Sequence, residues 1–189
     1  MNIGIQKGDE KLLSKKECME LLKKYEMPEN ILAHSLTVNK VAVFLAEKLS
    51  EKGIEIFIPL VDSASMLHDI GKKREIEKEV DSHIAEGYEI LQKENLISEA
   101  IICRKHGALS PLNPITRPKS WEEKVVFYAD KRVLHDKIVT IKERLKDANK
   151  RYPKYAKEEQ KAYVFVEKVE KEIFDIIGIK PEELGKYIK

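Results

Sequence analysis

Six side chains of this 189-residue chain have the types and the spacing that a metal site requires. Imidazole and carboxylate groups are the ligands that divalent transition metals accept in hydrolytic and oxidative sites. The chain has five histidines, and four of them form an ordered series with two aspartates. A series of this size is enough for two ions that share a bridging carboxylate. Its members are His34, His68, Asp69, His83, His106 and Asp130.

Two members of the series lie on helix faces that are predicted to be buried. Asp130 has Val126 and Val133 as neighbours at helical spacing, and Val38 continues the face of His34. A lone histidine on such a face is usually a core residue satisfied by one hydrogen bond. A buried carboxylate, however, costs several kcal/mol unless it is paired or binds a metal. Two titratable groups that point into one core are therefore expected to contact a paired group or a metal there.

The ordered set resembles the HD-domain superfamily of metal-dependent phosphohydrolases. Its H…HD…D pattern is matched by His34, by the dipeptide His68-Asp69 and by Asp130. The stretch Leu-His-Asp-Ile-Gly-Lys that ends at Lys72 is similar to the HDIG variant of this pattern. A bare His-Asp dipeptide carries no information, so the resemblance rests on the ordered set in its helical context. It covers roughly residues 28–136.

The resemblance also implies how many ions the site holds. His83 and His106 match the two additional histidines of the binuclear members of this superfamily. Histidine-rich ligation favours iron or manganese over magnesium, which prefers oxygen ligands. The resemblance implies one ion held by His34, His68, Asp69 and Asp130, and a second held by Asp69, His83 and His106, with Asp69 as the bridge.

A phosphate substrate would also need cationic donors near these ligands. The resemblance assigns catalytic roles to Asp69 and Lys72, because the family often places the lysine after the HDIG stretch on phosphate. Arg132, two residues past Asp130, and Arg117, in a proline-rich segment at 107–120, are further predicted substrate-binding residues. For each cation the alternative is a solvated surface charge, since the chain has 35 basic residues. The proline-rich segment is either a specificity loop or a connector.

The leading functional hypothesis is a phosphohydrolase that acts on a nucleotide or another small phosphate ester through metal-activated water. The first alternative is a di-iron oxygenase, because some HD-domain proteins use the same six ligands with dioxygen. The second is a non-catalytic nucleotide-binding sensor domain that retains its metal site. The ligands alone do not separate these three classes, and neither the leaving-group acid nor the oligomeric state is assigned.

Composition restricts the partners and the compartment. The 35 basic and 33 acidic residues nearly cancel, so the net charge of +2 gives no argument for nucleic acid. No apolar run approaches the roughly 20 residues that span a bilayer, and no secretory signal is recognisable. The two cysteines, Cys18 and Cys103, are far apart in sequence, and a disulfide between them is not expected. We therefore expect a cytoplasmic protein.

Periodicity predicts an all-α fold, an HD-domain-like helical bundle with a metal site in its core. Ser14 and Glu17 form a capping box that begins the first helix. We expect a flexible segment at residues 1–13 and a single domain at 14–189, with the family-like core at 28–136 and C-terminal helices at 137–189. The first predicted helix begins at Ser14, and the others cover about 28–52, 59–71, 83–94, 97–105, 121–134, 136–150 and 157–177, with a short last one after Pro181 and an extended stretch at 54–58.

Overall fold

The computed structural model describes residues 12–188, and helices dominate them. The all-α fold predicted from the sequence is confirmed. The elements are α1 (Lys15–Lys24), α2 (Glu29–Glu51), α3 (Ile58–Leu67), α4 (Lys72–Ile76), α5 (His83–Lys93), α6 (Ile97–Lys105), α7 (Trp121–Lys131), β1 (Val133–Leu134), β2 (Lys137–Ile138), α8 (Ile141–Arg151), α9 (Ala156–Ile177) and α10 (Leu184–Tyr187).

Several helices begin at capping boxes that are readable in the sequence. The Ser14 hydroxyl accepts a hydrogen bond from the backbone N–H of Glu17, whose carboxylate accepts one from the N–H of Ser14 in return. The same reciprocal pair starts α8 at Thr140 and Glu143. Each pair satisfies two of the backbone donors that a helix start leaves without an intrahelical partner. These local signals fix where the helices begin.

The hydrophobic core is divided into two clusters, and α3 contributes to both. The larger cluster joins α2, α3, α7 and α9 through fully buried residues such as Leu45, Val61 and Phe127. The smaller cluster joins α1, α5 and α6 to the end of α3 through Leu67 and Leu91. The region between α2, α3, α6 and α7 is therefore packed between the two hydrophobic clusters, and the predicted ligands lie in this region.

A two-stranded hairpin replaces the beginning of the helix that was predicted at 136–150. Strands β1 and β2 pair antiparallel, with Val133 opposite Ile138. The backbone of His135 at the turn is left-handed, with φ 55°, which a helix does not allow. The N–H of Val139 donates to the carbonyl of Arg132 at 2.8 Å and extends the pairing beyond the strands. The helix prediction was therefore wrong for residues 136–140.

Gly71 has a different role from the predicted end of α3. Helix α3 ends at Leu67, and Gly71 instead precedes α4. A Cβ atom at Gly71 would lie 2.4 Å from the carbonyl oxygen of His83 and 2.6 Å from the backbone nitrogen of Gly87. Only glycine allows the start of α4 to approach α5 this closely. This approach brings Lys72 next to His83.

Two expectations concern the chain as a whole. The flexible segment predicted at 1–13 lies outside the described residues except for Leu12 and Leu13, and Leu13 packs against the smaller cluster. Among residues 12–188, no helix has both the length and the apolar character that a membrane crossing needs. The division into a single domain at 14–189 stays a prediction.

Candidate metal centre

The six predicted ligands come from five helices or from the residues that directly follow them. His34 lies in the second turn of α2, and Asp130 lies in the last turn of α7. The remaining four lie at helix ends, where side chains from different helices can converge. They are His68 and Asp69, directly after α3, His83, the first residue of α5, and His106, directly after α6.

The Asp69 carboxylate lies between three imidazole rings. Its Oδ2 is 3.6 Å from Nε2 of His68, whereas its Oδ1 is 3.3 Å from Nε2 of His83 and 3.5 Å from Nε2 of His106. The two oxygens thus face different histidines. A carboxylate in this position can bridge two cations, as the sequence-based assignment requires.

Asp130 completes the opposite side of the cluster. Its Oδ1 lies 3.1 Å from Nε2 of His34 and 3.8 Å from Nε2 of His68. Candidate ligand atoms of His34, His68 and Asp130 lie within 4.8 Å of one another, and those of His68, Asp69 and His106 do so too. His68 belongs to both triads, so the structure brings the predicted ligands together around it.

Three of the four histidine rings are oriented by backbone carbonyl groups. A carbonyl oxygen only accepts hydrogen bonds, so each contact requires the proton on Nδ1 and leaves the lone pair of a neutral ring on Nε2. Such contacts fix the tautomer and the ring orientation of metal-binding histidines. The three contacts are His34 Nδ1 to His135 O at 2.7 Å, His68 Nδ1 to Ser65 O at 2.8 Å and His106 Nδ1 to Cys103 O at 2.6 Å.

His83 is oriented by a carboxylate instead of a carbonyl. Its Nδ1 lies 2.8 Å from Oε1 of Glu75, which also accepts a hydrogen bond from the backbone N–H of His83 at 3.2 Å. Lys72 forms an ion pair with Oε2 of the same glutamate, and its Nζ is 3.2 Å from Nδ1 of His83. Partial burial opposes ionisation of Glu75, but His83 and Lys72 outweigh it and lower its pKa to about 2. Glu75 is therefore a carboxylate at neutral pH and not a proton donor.

The electrostatics of His68 suit a metal ligand. The side chain is fully buried, and burial lowers the pKa of His68 to about 4, so its imidazole is neutral at pH 7. Its Nε2 is buried and has no hydrogen-bond partner among the described residues. An unpaired buried polar atom is costly, and the surrounding imidazoles and carboxylates are the donors that a divalent transition metal accepts. The residues present therefore fit a divalent cation.

The two aspartates of the cluster are ionised. Burial opposes this, but the surrounding histidines hold the pKa of Asp69 well below its usual range. Lys131 and His34 likewise hold the pKa of Asp130 well below its usual range. Burial would lower the pKa of His34, yet the hydrogen bond and charge of Asp130, with the charge of Asp69, together outweigh it and raise that pKa. The cluster thus concentrates negative charge that a bound cation would neutralise.

The predicted phosphate donors have different surroundings. Lys72 lies beside His83, next to the ligands. The guanidinium of Arg117 donates from Nε to the carbonyl of Pro111 at 2.7 Å and lies over the ring of Phe165. It thus ties the proline-rich segment to α9.

Arg132 is 2% exposed, and each of its three nitrogens has a structural partner. They donate to the carbonyls of Val139 and Pro181 and to the hydroxyl of Tyr128. Arg132 therefore connects α7 to the hairpin and to the C-terminal segment, and its guanidinium lies inside the fold.

Three contributors to the site were not identified as such from the sequence. Glu75 has no role among the residues assigned from the sequence, and no periodic signal points to its partner His83. Lys131 bonds to the carboxylate of Asp130 and donates to the carbonyl of His106 at 2.8 Å. The carbonyl of His135 depends on the hairpin, which the sequence analysis did not predict. Only Lys131, which follows Asp130 directly, had a signal that could have revealed it.

The segment that carries the six candidate ligands is similar to known proteins. Residues 31–134 match the family model of the HD domain. An uncharacterised protein of Methanocaldococcus jannaschii is 33% identical over 139 residues, which cover 67% of this chain and 79% of that protein. A tRNA (cytidine(56)-2'-O)-methyltransferase of Picrophilus torridus is 30% identical over 138 residues, which cover 67% of this chain but 38% of the methyltransferase. No solved structure matches the chain significantly.

Proposed function

The chain belongs to the HD domain family, whose members are generally metal-dependent phosphohydrolases, and we propose that it hydrolyses a small phosphate ester such as a nucleotide. One observation carries the proposal. Four imidazoles and two carboxylates, separated by up to 96 residues, face one another, and Nε2 of the buried His68 has no protein partner in the described chain. Such a donor set is expensive to bury unless a cation completes it.

The chain would hold two divalent ions. His34, His68, Asp69 and Asp130 would hold one, and Asp69, His83 and His106 the other. A bound divalent ion supplies hydroxide near neutral pH and stabilises charge on a phosphoryl group. Four imidazoles among six ligands favour iron or manganese over magnesium.

The residues around the ligands support an anionic substrate. Lys72 lies on the side of His83, and Lys131 lies on the side of Asp130 and His106. Lys72 is 22% exposed in its side chain, and its partner Glu75 can retain the hydrogen bond to His83 if the ammonium turns to a phosphate oxygen. Charge-assisted hydrogen bonds of this kind are the strong ones in phosphate recognition.

The deciding experiment is anaerobic turnover by manganese-loaded protein. The panel contains nucleoside mono-, di- and triphosphates, cyclic nucleotides, p-nitrophenyl phosphate and an RNA with a terminal phosphate. The RNA is included because the Picrophilus relative is named as a tRNA enzyme. We expect phosphate release by the wild type, loss of release in Asp69→Asn, and unchanged release in Asp136→Asn, which alters an exposed aspartate of the hairpin turn.

Two results would overturn the proposal. The absence of turnover across the panel, together with oxygen uptake by the iron-loaded protein, would identify the di-iron oxygenase. Binding of a nucleotide without any turnover would identify the sensor domain.

A further inference from the structure

A basic segment at residues 150–157 spans the end of α8 and the start of α9. It contains four cations and no acidic residue. The chain as a whole has 35 basic and 33 acidic residues, so the rest of it carries 31 basic and 33 acidic residues and a net charge of −2. The near balance of the whole chain therefore conceals a local excess of positive charge. The four cations are Lys150, Arg151, Lys154 and Lys157.

The 150–157 segment faces solvent, and its three lysines are unpaired. Every residue of the segment except Ala156 is exposed. The guanidinium of Arg151 is bonded to the carboxylate of Asp147 at 2.6 Å. The lysines of the segment, by contrast, form no ion pair with any residue of 12–188. An unpaired lysine keeps its three ammonium hydrogens for water or for a bound anion.

Two exposed tyrosines lie among these cations. Tyr152 and Tyr155 are 45% and 42% exposed. The N–H of Tyr155 donates to the carbonyl of Tyr152 at 3.0 Å and closes a tight turn, whose end Cα atoms lie within about 7 Å of each other. Arg151 lies 5.4 Å from the ring centroid of Tyr152, and Lys154 lies 4.7 Å from that of Tyr155. Aromatic rings and cations therefore occur side by side on one exposed turn.

The turn between α8 and α9 has a regular backbone. Pro153 restricts its own φ and begins a single 3₁₀ turn, Pro153–Tyr155. This turn contacts both α8 and α9, and the two helices also contact each other. A surface that is held in shape before binding loses less conformational entropy when a partner binds. The rings and the cations are therefore presented together on a preformed surface.

We propose that the 150–157 segment is a binding surface for single-stranded nucleic acid. The lysines contact phosphates, and Tyr152 and Tyr155 stack on bases, which is how proteins bind single strands without reading their sequence. The bases of a duplex are already stacked on each other, so the exposed rings favour a single strand. A lipid surface is a poorer partner, because the segment has no Leu, Ile, Phe or Trp to enter it. The inference goes beyond the proposed function and uses none of the metal ligands.

The test is fluorescence anisotropy of labelled oligouridylate and oligothymidylate, each of about 12 nucleotides, titrated with the full chain at several salt concentrations. We expect both single strands to bind more tightly than a duplex of the same length. The double variant Tyr152→Ala with Tyr155→Ala is expected to bind roughly 5- to 150-fold more weakly for each base that loses its stacking partner. Its salt dependence should equal that of the wild type. The control, Tyr152→Phe with Tyr155→Phe, keeps both rings and is expected to bind as the wild type does.

The lysines are tested through the salt dependence of binding. Replacing the three lysines of the segment by Gln is expected to weaken binding and to reduce the slope of log affinity against log salt by about 2, since each phosphate contact to a single strand contributes about 0.7. The matched control replaces three exposed lysines outside the segment by Gln, which removes the same charge and is expected to leave the slope unchanged. These control positions are Lys40, Lys52 and Lys93.

Four results would overturn the inference. They are no binding of either oligonucleotide by the wild type, wild-type affinity in the Tyr→Ala variant, equal slopes in the two lysine variants, and duplex binding as tight as single-strand binding. Vesicles that contain phosphatidylserine are a further probe, and binding to them without oligonucleotide binding would identify a membrane surface instead. Binding of only one oligonucleotide would support the surface and identify RNA or DNA as its partner. Phosphoester turnover is measured separately, so either proposal can fail while the other holds.

Discussion

Nδ1 of His34 lies 2.7 Å from the carbonyl oxygen of His135, which follows it by 101 residues. This contact turns Nε2 of His34 towards the carboxylate of Asp130 at 3.1 Å. The carbonyl reaches this position because the backbone of His135 is left-handed at the turn between β1 and β2. The hairpin therefore supports the candidate metal centre through a backbone atom, although the His135 side chain is exposed and is not among the ligands.

The left-handed turn predicts opposite effects for two substitutions at His135. Glycine adopts positive φ without strain, whereas valine is strongly disfavoured there. We expect His135→Gly to keep metal binding and to stabilise the protein by up to about 1 kcal/mol. We expect His135→Val to destabilise it and to weaken metal binding. Urea unfolding and metal titration measure both effects, and equal behaviour of the two variants would show that the turn geometry does not matter.

The histidines that face Oδ1 of Asp69 are predicted to hold the second ion. The double substitution His83→Ala with His106→Ala is expected to lower the bound metal by about one ion per chain, because two of three ligands are lost. Elemental analysis of protein purified without chelator measures this number. The exposed His135→Gly variant is the control for loss of a histidine. Unchanged stoichiometry in the double variant would exclude these side chains as ligands.

Glu75 is predicted to tune the metal affinity without binding the ion. It holds Nδ1 of His83 at 2.8 Å, and loss of such a partner typically costs about 10- to 100-fold in metal affinity. We expect this loss in Glu75→Ala and a smaller one in Glu75→Gln, which keeps an acceptor oxygen. Glu77→Gln changes an exposed glutamate two residues later and is the control. Competition with a chelator of known affinity gives the three values, and wild-type affinity in Glu75→Ala would rule out the positioning role.

Glu159 is predicted to make stability depend on pH. Burial raises its pKa above the usual 4.5 in the folded state, so folding disfavours the ionised form. Below about pH 4.5 Glu159 is protonated in both the folded and the unfolded protein, so its burial costs no free energy of ionisation. As the pH rises through the folded-state pKa, this cost of ionising Glu159 in the folded protein appears in full. Glu159→Gln is therefore expected to be more stable than the wild type near pH 7, with the difference shrinking towards pH 4. Urea unfolding of metal-free protein at both pH values tests this, and a difference independent of pH would contradict it.

Local patterns determined much of the helical framework. The capping box at Ser14 and Glu17, the proline at the start of α3 and the apolar periodicity of α2 predict helices that the structure contains. These signals act within a few residues, so the sequence displays them directly. The short hairpin at Val133–Ile138 was missed, because strands of two residues give no period-2 pattern.

The sequence by itself determined the types and the order of the candidate ligands, because the apolar faces around His34 and Asp130 show that these groups point into a core. Only the tertiary structure decided which atoms meet and which cations lie inside the fold. Arg132 looked suitable two residues after Asp130, yet packing between helices directs its guanidinium to Val139, Tyr128 and Pro181. The physical reason is that side-chain partners such as Glu75 with His83 depend on how distant helices pack, and sequence spacing does not encode those distances.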